Sequence, residues 1–192
     1  MKTVLFIPGF KGDLGSTDYH YKNAVQAIKS RGYETKFVSV KWQRTTVEDW
    51  LKEFEETYNN YDETKTIIAG FSYGAVPAIL AASKRNPSAL WLFSISARFR
   101  EDLPKLPQST LRRISKSRLA AFNNLHFTDI ARDIKCKTLI FIGGAEADVD
   151  PPLLERAKIA NKLIKNSKLI FMPDVPHDVG HPSYIKAIQQ NI

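Results

Sequence analysis

The five residues Gly70-Phe71-Ser72-Tyr73-Gly74 carry the clearest chemical signal in the 192-residue chain. A serine hydroxyl attacks an acyl carbonyl only when a neighbouring base takes its proton. The G-x-S-x-G spacing puts such a serine on a turn so tight that its backbone is strained. Glycines flank it because side chains there would collide with the adjoining strand and helix. The context fits: the apolar run Thr66-Ile67-Ile68-Ala69 comes before the motif and a helical stretch from Ala75 to Lys84 comes after it. A turn of this kind lifts the Ser72 hydroxyl to the C-terminal edge of a sheet. There it meets a helix N-terminus, whose free N–H groups favour developing negative charge. Pro77 falls early in that helix, so a slight kink and little loss of hydrogen bonding are expected.

Other chemistries fit less well. The loop from Gly9 to Ser16 is glycine-rich and follows a strand-like run, but its spacing is G-x-x-G-x-x-G and no Gly-Lys-Ser/Thr closes it. It therefore matches neither nucleotide-binding pattern. Cys136 is the only cysteine. That excludes an intramolecular disulfide and a multi-cysteine zinc site. Its setting, Lys135-Cys136-Lys137 at the edge of a strand pattern, reads as a structural thiol. No metal site and no cofactor are expected.

The elements that must position Ser72 alternate along the chain. Val4–Ile7, Lys36–Val40, Thr66–Ala69, Leu90–Ile95, Thr138–Ile142 and Lys168–Met172 read as strands. Their continuous apolarity fits strands covered on both faces, as in a parallel sheet. Between them lie helical stripes, of which Val47, Trp50, Leu51, Phe54 and Tyr58 form the clearest. Others are Tyr21, Ala24, Val25 and Ile28, then Leu153, Leu154, Ala157, Ala160 and Ile164, and finally Tyr184, Ile185 and Ile188. The alternation predicts an α/β protein: a three-layer α/β/α sandwich with a mostly parallel sheet of about six strands. The length suits a single domain, residues 1–192. From Ala97 to Asp133 the rhythm breaks. That stretch has two prolines, no strand pattern and much positive charge, and it reads as a small basic insertion of loop and short helix.

With the motif in this setting, the sequence resembles the α/β-hydrolase superfamily over almost its whole length. The resemblance is to compact members: two leading strands are missing and the cap is reduced to the 97–133 insertion. It implies the order nucleophile, acid, histidine. For the acid, three carboxylates follow the strand Thr138–Ile142. Asp150, before Pro151 and a helix, reads as an N-cap, and Glu146 sits early in the loop. The family's Gly-x-x-Asp pattern, counted from Gly144, implies Asp148. For the histidine, His177 lies in the loop after the last strand, whereas His181 precedes Pro182 and reads as a cap residue; His20 and His126 fall in other segments. The resemblance further implies an oxyanion hole from the backbone N–H groups of Tyr73 and Phe10, although Pro8-Gly9 stands where the family often has His-Gly. The implied activity is that of a serine hydrolase, cleaving a carboxylic ester or thioester of a small substrate through an acyl-enzyme on Ser72. The alternative is a non-catalytic binding or receptor protein on the same fold.

Charge adds one expectation about partners. The chain carries a formal +8, and residues 98–118 hold seven basic and two acidic side chains, a net +5. No nucleic-acid-binding module accompanies this stretch, so no nucleic acid is expected. In the family the insertion lies over the site. Arg112 and Arg113 are accordingly expected to attract a small acyl substrate bearing an anionic group. The apolar runs are strand-sized, so no membrane span is expected. The segment Met1–Gly9 has too short an apolar core for a signal peptide and reads as the first buried strand of a cytoplasmic protein.

Overall fold

The structure, a computed structural model, describes residues 1–10 and 14–192; of the glycine-rich loop after the first strand, Lys11, Gly12 and Asp13 lie outside the described residues, as do the side chains of 14–20 and 149. In chain order the elements are β1 (Thr3–Ile7), α1 (Leu14–Ser30), β2 (Glu34–Phe37), α2 (Val47–Tyr58), β3 (Thr66–Phe71) and α3 (Ala75–Lys84). Then come β4 (Ala89–Phe93), α4 (Gln108–Leu111), α5 (Lys116–Asn123), α6 (Phe127–Asp133), β5 (Lys137–Gly143), α7 (Glu146–Val149), α8 (Pro152–Leu163), β6 (Ser167–Met172) and α9 (Pro182–Asn191). Short 3₁₀ turns occupy Glu63–Lys65, Ser72–Gly74 and Leu103–Lys105.

All six strands run parallel in the order β2-β1-β3-β4-β5-β6. Alternate side chains feed two cores. Leu5 and Ile7 of β1 face a core built with α2, α3, α5, α6 and α8. Val4 and Phe6 face the other, built with α1 and α9. Period-two alternation on a sheet covered on both sides makes every residue of β3, β4 and most of β5 apolar or small and buried. Strand order reverses at β1, which has β2 on one side and β3 on the other. The C-terminal ends of β1 and β3 lie side by side at this point, the edge where open α/β sheets bind ligands.

Register decides what meets there. Phe71 is level with Phe93, and Phe93 with Phe141. The residues just past that rung on β3 and β4, Ser72 and Ser94, both adopt left-handed backbone, with φ of 54° and 52°. The second strand differs from expectation: it spans Glu34–Phe37, while Val38 and Val40 are buried without continuing as strand. Val38 N still donates to Phe6 O of β1 at 2.9 Å, and beyond it the apolarity of Val40 marks packing in the core that α2 covers.

The 97–133 stretch holds α4, α5 and α6, and its apolar residues belong to the main core. Phe99, Phe122 and Phe127 are fully buried, and α6 packs against α3 and α8. Asp102 and Arg156 pin this stretch to α8 by a buried ion pair. The Arg156 guanidinium also lies 4.1 Å from the Phe127 ring centre and 5.2 Å from that of Phe99. Removing one partner of such a pair leaves a buried charge without compensation. Arg156→Ala is expected to lower stability by about 3–5 kcal/mol, read as a shift in the urea midpoint at unchanged slope. Among the described residues, no helix is long and apolar enough to cross a membrane.

Candidate active site

Ser72 stands at the top of β3, where six consecutive buried residues end in the turn Ser72–Gly74. Its φ of 54° is the left-handed conformation that a side chain makes costly. The flanking glycines are there for contact. A β-carbon on Gly70 would collide with the Gly74 carbonyl, and one on Gly74 with the Ile7 and Pro8 carbonyls.

His177 comes from the loop between β6 and α9. Its Nε2 is 3.0 Å from Ser72 Oγ. Its ring packs on Phe71 with centroids 4.8 Å apart. Val175 and Val179, both buried, anchor the loop on either side of it. His181 caps α9 as expected, its ring accepting from Ser183 N at 3.3 Å.

The carboxylate on His177 is Glu146, not the expected Asp148. Glu146 Oε2 lies 2.6 Å from His177 Nδ1. Its other oxygen accepts from Gly143 N at 2.8 Å and from Ser94 Oγ at 2.6 Å, and its side chain is fully buried. The reason is helical geometry. Chain leaving β5 turns at once into α7, so Glu146 points inward from the first turn. Two residues along a helix rotate the side chain by about 200°, and Asp148 is exposed. The missed signal is in the spacing. Counted from Gly143, the last residue of β5, the Gly-x-x-acid pattern lands on Glu146; Asp148 lies one residue beyond its reach from Gly144. Asp150 is the C-cap of α7, its backbone N–H donating to Glu146 O at 2.9 Å, and Pro151 is the N-cap of α8.

Two further side chains, not singled out in the sequence, hold the acid. Ser94 has one proton, and a carboxylate can only accept. Ser94 Oγ therefore donates to Glu146, and Tyr184 Oη, 2.9 Å away, donates to Ser94. Burial and the nearby Glu146 charge push the Tyr184 hydroxyl well above its ordinary pKa, which keeps it a donor. Gly143 lets the acid and histidine loops touch: a β-carbon there would collide with the Val175 carbonyl, two residues before His177. Gly143→Ala is thus expected to part the loops and lower ester turnover by about 10²-fold, the scale set by misplacing a catalytic group by about 1 Å. Initial rates on a nitrophenyl ester check this.

The loop Pro8-Gly9-Phe10 runs beside Ser72. A β-carbon on Gly9 would stand 3.1 Å from Ser72 Cβ, and Gly9 N donates to the buried Tyr21 hydroxyl at 3.0 Å. The Phe10 ring leans on the Tyr73 ring, 5.4 Å between centres. Trp42, Trp50 and Phe122 continue this aromatic wall. Arg112 and Arg113 do not reach it. Both are exposed at the end of α4, and among the described residues no side-chain bond links either to the site. The basic residues of that stretch that reach the wall are Arg98 and Arg118. Arg98 Nε donates to Tyr73 Oη at 2.8 Å, and Arg118 lies over Phe10 and Trp50. Cys136 is buried, and burial pushes its thiol above the usual range, as suits a structural residue. Among the described residues, no cluster of three or more metal-binding side chains is present.

No protein-family model matches the chain, and no curated protein matches it by sequence. Solved structures do. Est1E from Butyrivibrio proteoclasticus superposes with a TM-score of 0.81 at 19% identity, covering 98% of this chain and 86% of that one. A second Est1E structure, holding ferulic acid, gives a TM-score of 0.82 at 18% identity over 99% and 87% of the two chains. A bromoperoxidase from Bacillus anthracis gives 0.77 at 15% identity over 98% and 89%. The chain has the α/β-hydrolase fold, with a six-stranded, all-parallel sheet between helical layers.

Proposed function

We propose that the protein is a serine hydrolase that cleaves carboxylic esters or thioesters of small substrates, with Ser72, His177 and Glu146 as its catalytic triad. The observation that carries this reading is one continuous chain of contacts: hydroxyl to imidazole at 3.0 Å, imidazole to buried carboxylate at 2.6 Å. Glu146 accepts a hydrogen bond from Nδ1–H, which keeps the proton on Nδ1 and leaves Nε2 as the acceptor facing Ser72. His177 takes the hydroxyl proton as Ser72 Oγ bonds to the acyl carbon. The imidazolium, stabilised by Glu146, then returns the proton to the departing alkoxide or thiolate. Water, deprotonated by His177, releases the acid from the acyl-enzyme. The backbone N–H groups of Tyr73 and Phe10 are the proposed donors to the tetrahedral oxyanion. The mechanism as written calls for no cofactor. The fold shared with Est1E, one structure of which holds ferulic acid, and with a lipase-esterase related protein from Clostridium acetobutylicum is compatible with this reading.

The test is covalent labelling. The purified protein is incubated with a fluorophosphonate and its intact mass measured. A single adduct, mapped to the Ser72 peptide, is expected. A folded protein that takes up no label would put the non-catalytic binding reading in its place.

A further inference from the structure

Among the described residues, Arg98 is a buried cation without a carboxylate partner. It is 8% exposed, yet among the described residues no acidic side chain lies within ion-pair distance of it. Its partners there are neutral: Tyr73 Oη at 2.8 Å from Nε and Ala97 O at 2.8 Å from Nη1. The guanidinium carbon sits 5.2 Å from the Tyr73 ring centre. Nη2 has no acceptor among the described residues. Arg156 shows how this chain treats an arginine buried for structure. It pairs that one with Asp102. Burying a guanidinium with no opposing charge is costly, and such a residue persists where something outside the chain supplies the anion.

Position says which anion. Arg98 grips the side chain of the residue that follows the nucleophile. Two residues before it, Ser96 Oγ lies 3.3 Å from Ser72 Oγ. Alongside runs the aromatic wall, with Phe10 47% exposed at its mouth. A planar cation beside exposed aromatic surface suits a carboxylate joined to an apolar body, because the guanidinium fork matches two carboxylate oxygens.

We propose that Arg98 is a specificity residue that holds a free carboxylate on the ester substrate, a few carbons from the scissile carbonyl. The proposal rests on the triad reading above. It moves the expected anion contact from Arg112 and Arg113, which the fold leaves exposed, to a residue at the site.

The experiment compares matched esters. Nitrophenyl hemisuccinate is set against nitrophenyl butyrate, and 4-(butyryloxy)benzoate against phenyl butyrate, which places the carboxylate on either side of the bond. At least one anionic ester is expected to show the higher kcat/KM in the parent. In Arg98→Gln the anionic-to-neutral ratio should fall about 50-fold. Arg98→Lys, which keeps the charge and loses the fork, should show an intermediate ratio and guards against a misfolded glutamine variant. A double charge reversal, Arg112→Glu with Arg113→Glu, should leave the ratio within about twofold at physiological salt. Fluorophosphonate labelling run in parallel separates the two readings. Labelling with no Arg98-dependent preference overturns the carboxylate contact alone. Loss of preference in the double reversal but not in Arg98→Gln overturns it in favour of long-range attraction. No labelling of the parent overturns the triad and the carboxylate contact with it.

Discussion

Ser72→Ala is expected to lower ester turnover by about 10⁶-fold and to abolish fluorophosphonate labelling. The loss is this large because the triad acts as a unit: without the hydroxyl, the base and its carboxylate have nothing to activate. Folding should survive. Alanine keeps the β-carbon, so the left-handed strain at φ 54° is unchanged, and the hydroxyl lost belongs to a half-exposed residue whose side-chain partners among the described residues are His177 and Ser96. Ser72→Gly makes a sharper statement. It should be equally inactive yet more stable than the alanine variant by about 1–2 kcal/mol, since glycine adopts this backbone without penalty. Thermal unfolding of the two variants beside the parent, with rates on one nitrophenyl ester, reads both quantities. Residual turnover within tenfold of the parent would remove Ser72 from the chemistry. Equal stability of the two variants would show that the turn stores no strain.

The features legible in the sequence are those fixed by short-range constraint. The inner strands β1, β3, β4 and β5, buried on both faces, must be continuously apolar and are legible to within about two residues at each end; the half-exposed edge strand β2 meets its expected span only at Lys36 and Phe37. The elbow is legible because its glycines keep a fixed spacing around Ser72, even though Gly74 is demanded by the Ile7 and Pro8 carbonyls at the end of the distant β1, and His177 because one loop follows the last strand. The acid is not. Three carboxylates within five residues differ only in the direction they point, and that direction depends on α7 starting immediately at Glu146. Ser94 and Tyr184 were hidden for a related reason. Strand register sets Ser94 level with Ser72, and register is a property of pairing that no single strand displays. Arg98 stands in the same basic run as Arg112 and Arg113, and composition alone cannot tell a buried guanidinium from solvated ones. Val40 shows the converse error: burial in the core that α2 covers gives the same apolar pattern as a strand.

Glu146→Gln is the decisive test of the acid. The amide is nearly the size of the carboxylate, so the packing of α7 against β5 is preserved. Its chemistry is not. An amide nitrogen facing Nδ1 would donate to it, hold the proton on Nε2, and present Ser72 with an imidazole that cannot accept. Turnover is expected to fall by about 10⁴-fold, the scale of the same acid-to-amide change in other triads. Asp148→Asn, on the opposite side of the same helix, should change turnover less than twofold. Glu146→Asp divides the acid's two jobs. A shorter arm keeps the charge but cannot satisfy Gly143 N, Ser94 Oγ and His177 Nδ1 from one position. Its loss should fall between the other two, and Ser94→Ala, which frees Oε1 from one donor, should soften it. The opposite pattern, with Asp148→Asn crippled and Glu146→Gln active, would mean that α7 rearranges in the working enzyme to bring Asp148 inward. The ordering Glu146→Gln, Glu146→Asp, Asp148→Asn, from greatest loss to least, follows only if the buried carboxylate at the first turn of α7 holds the histidine.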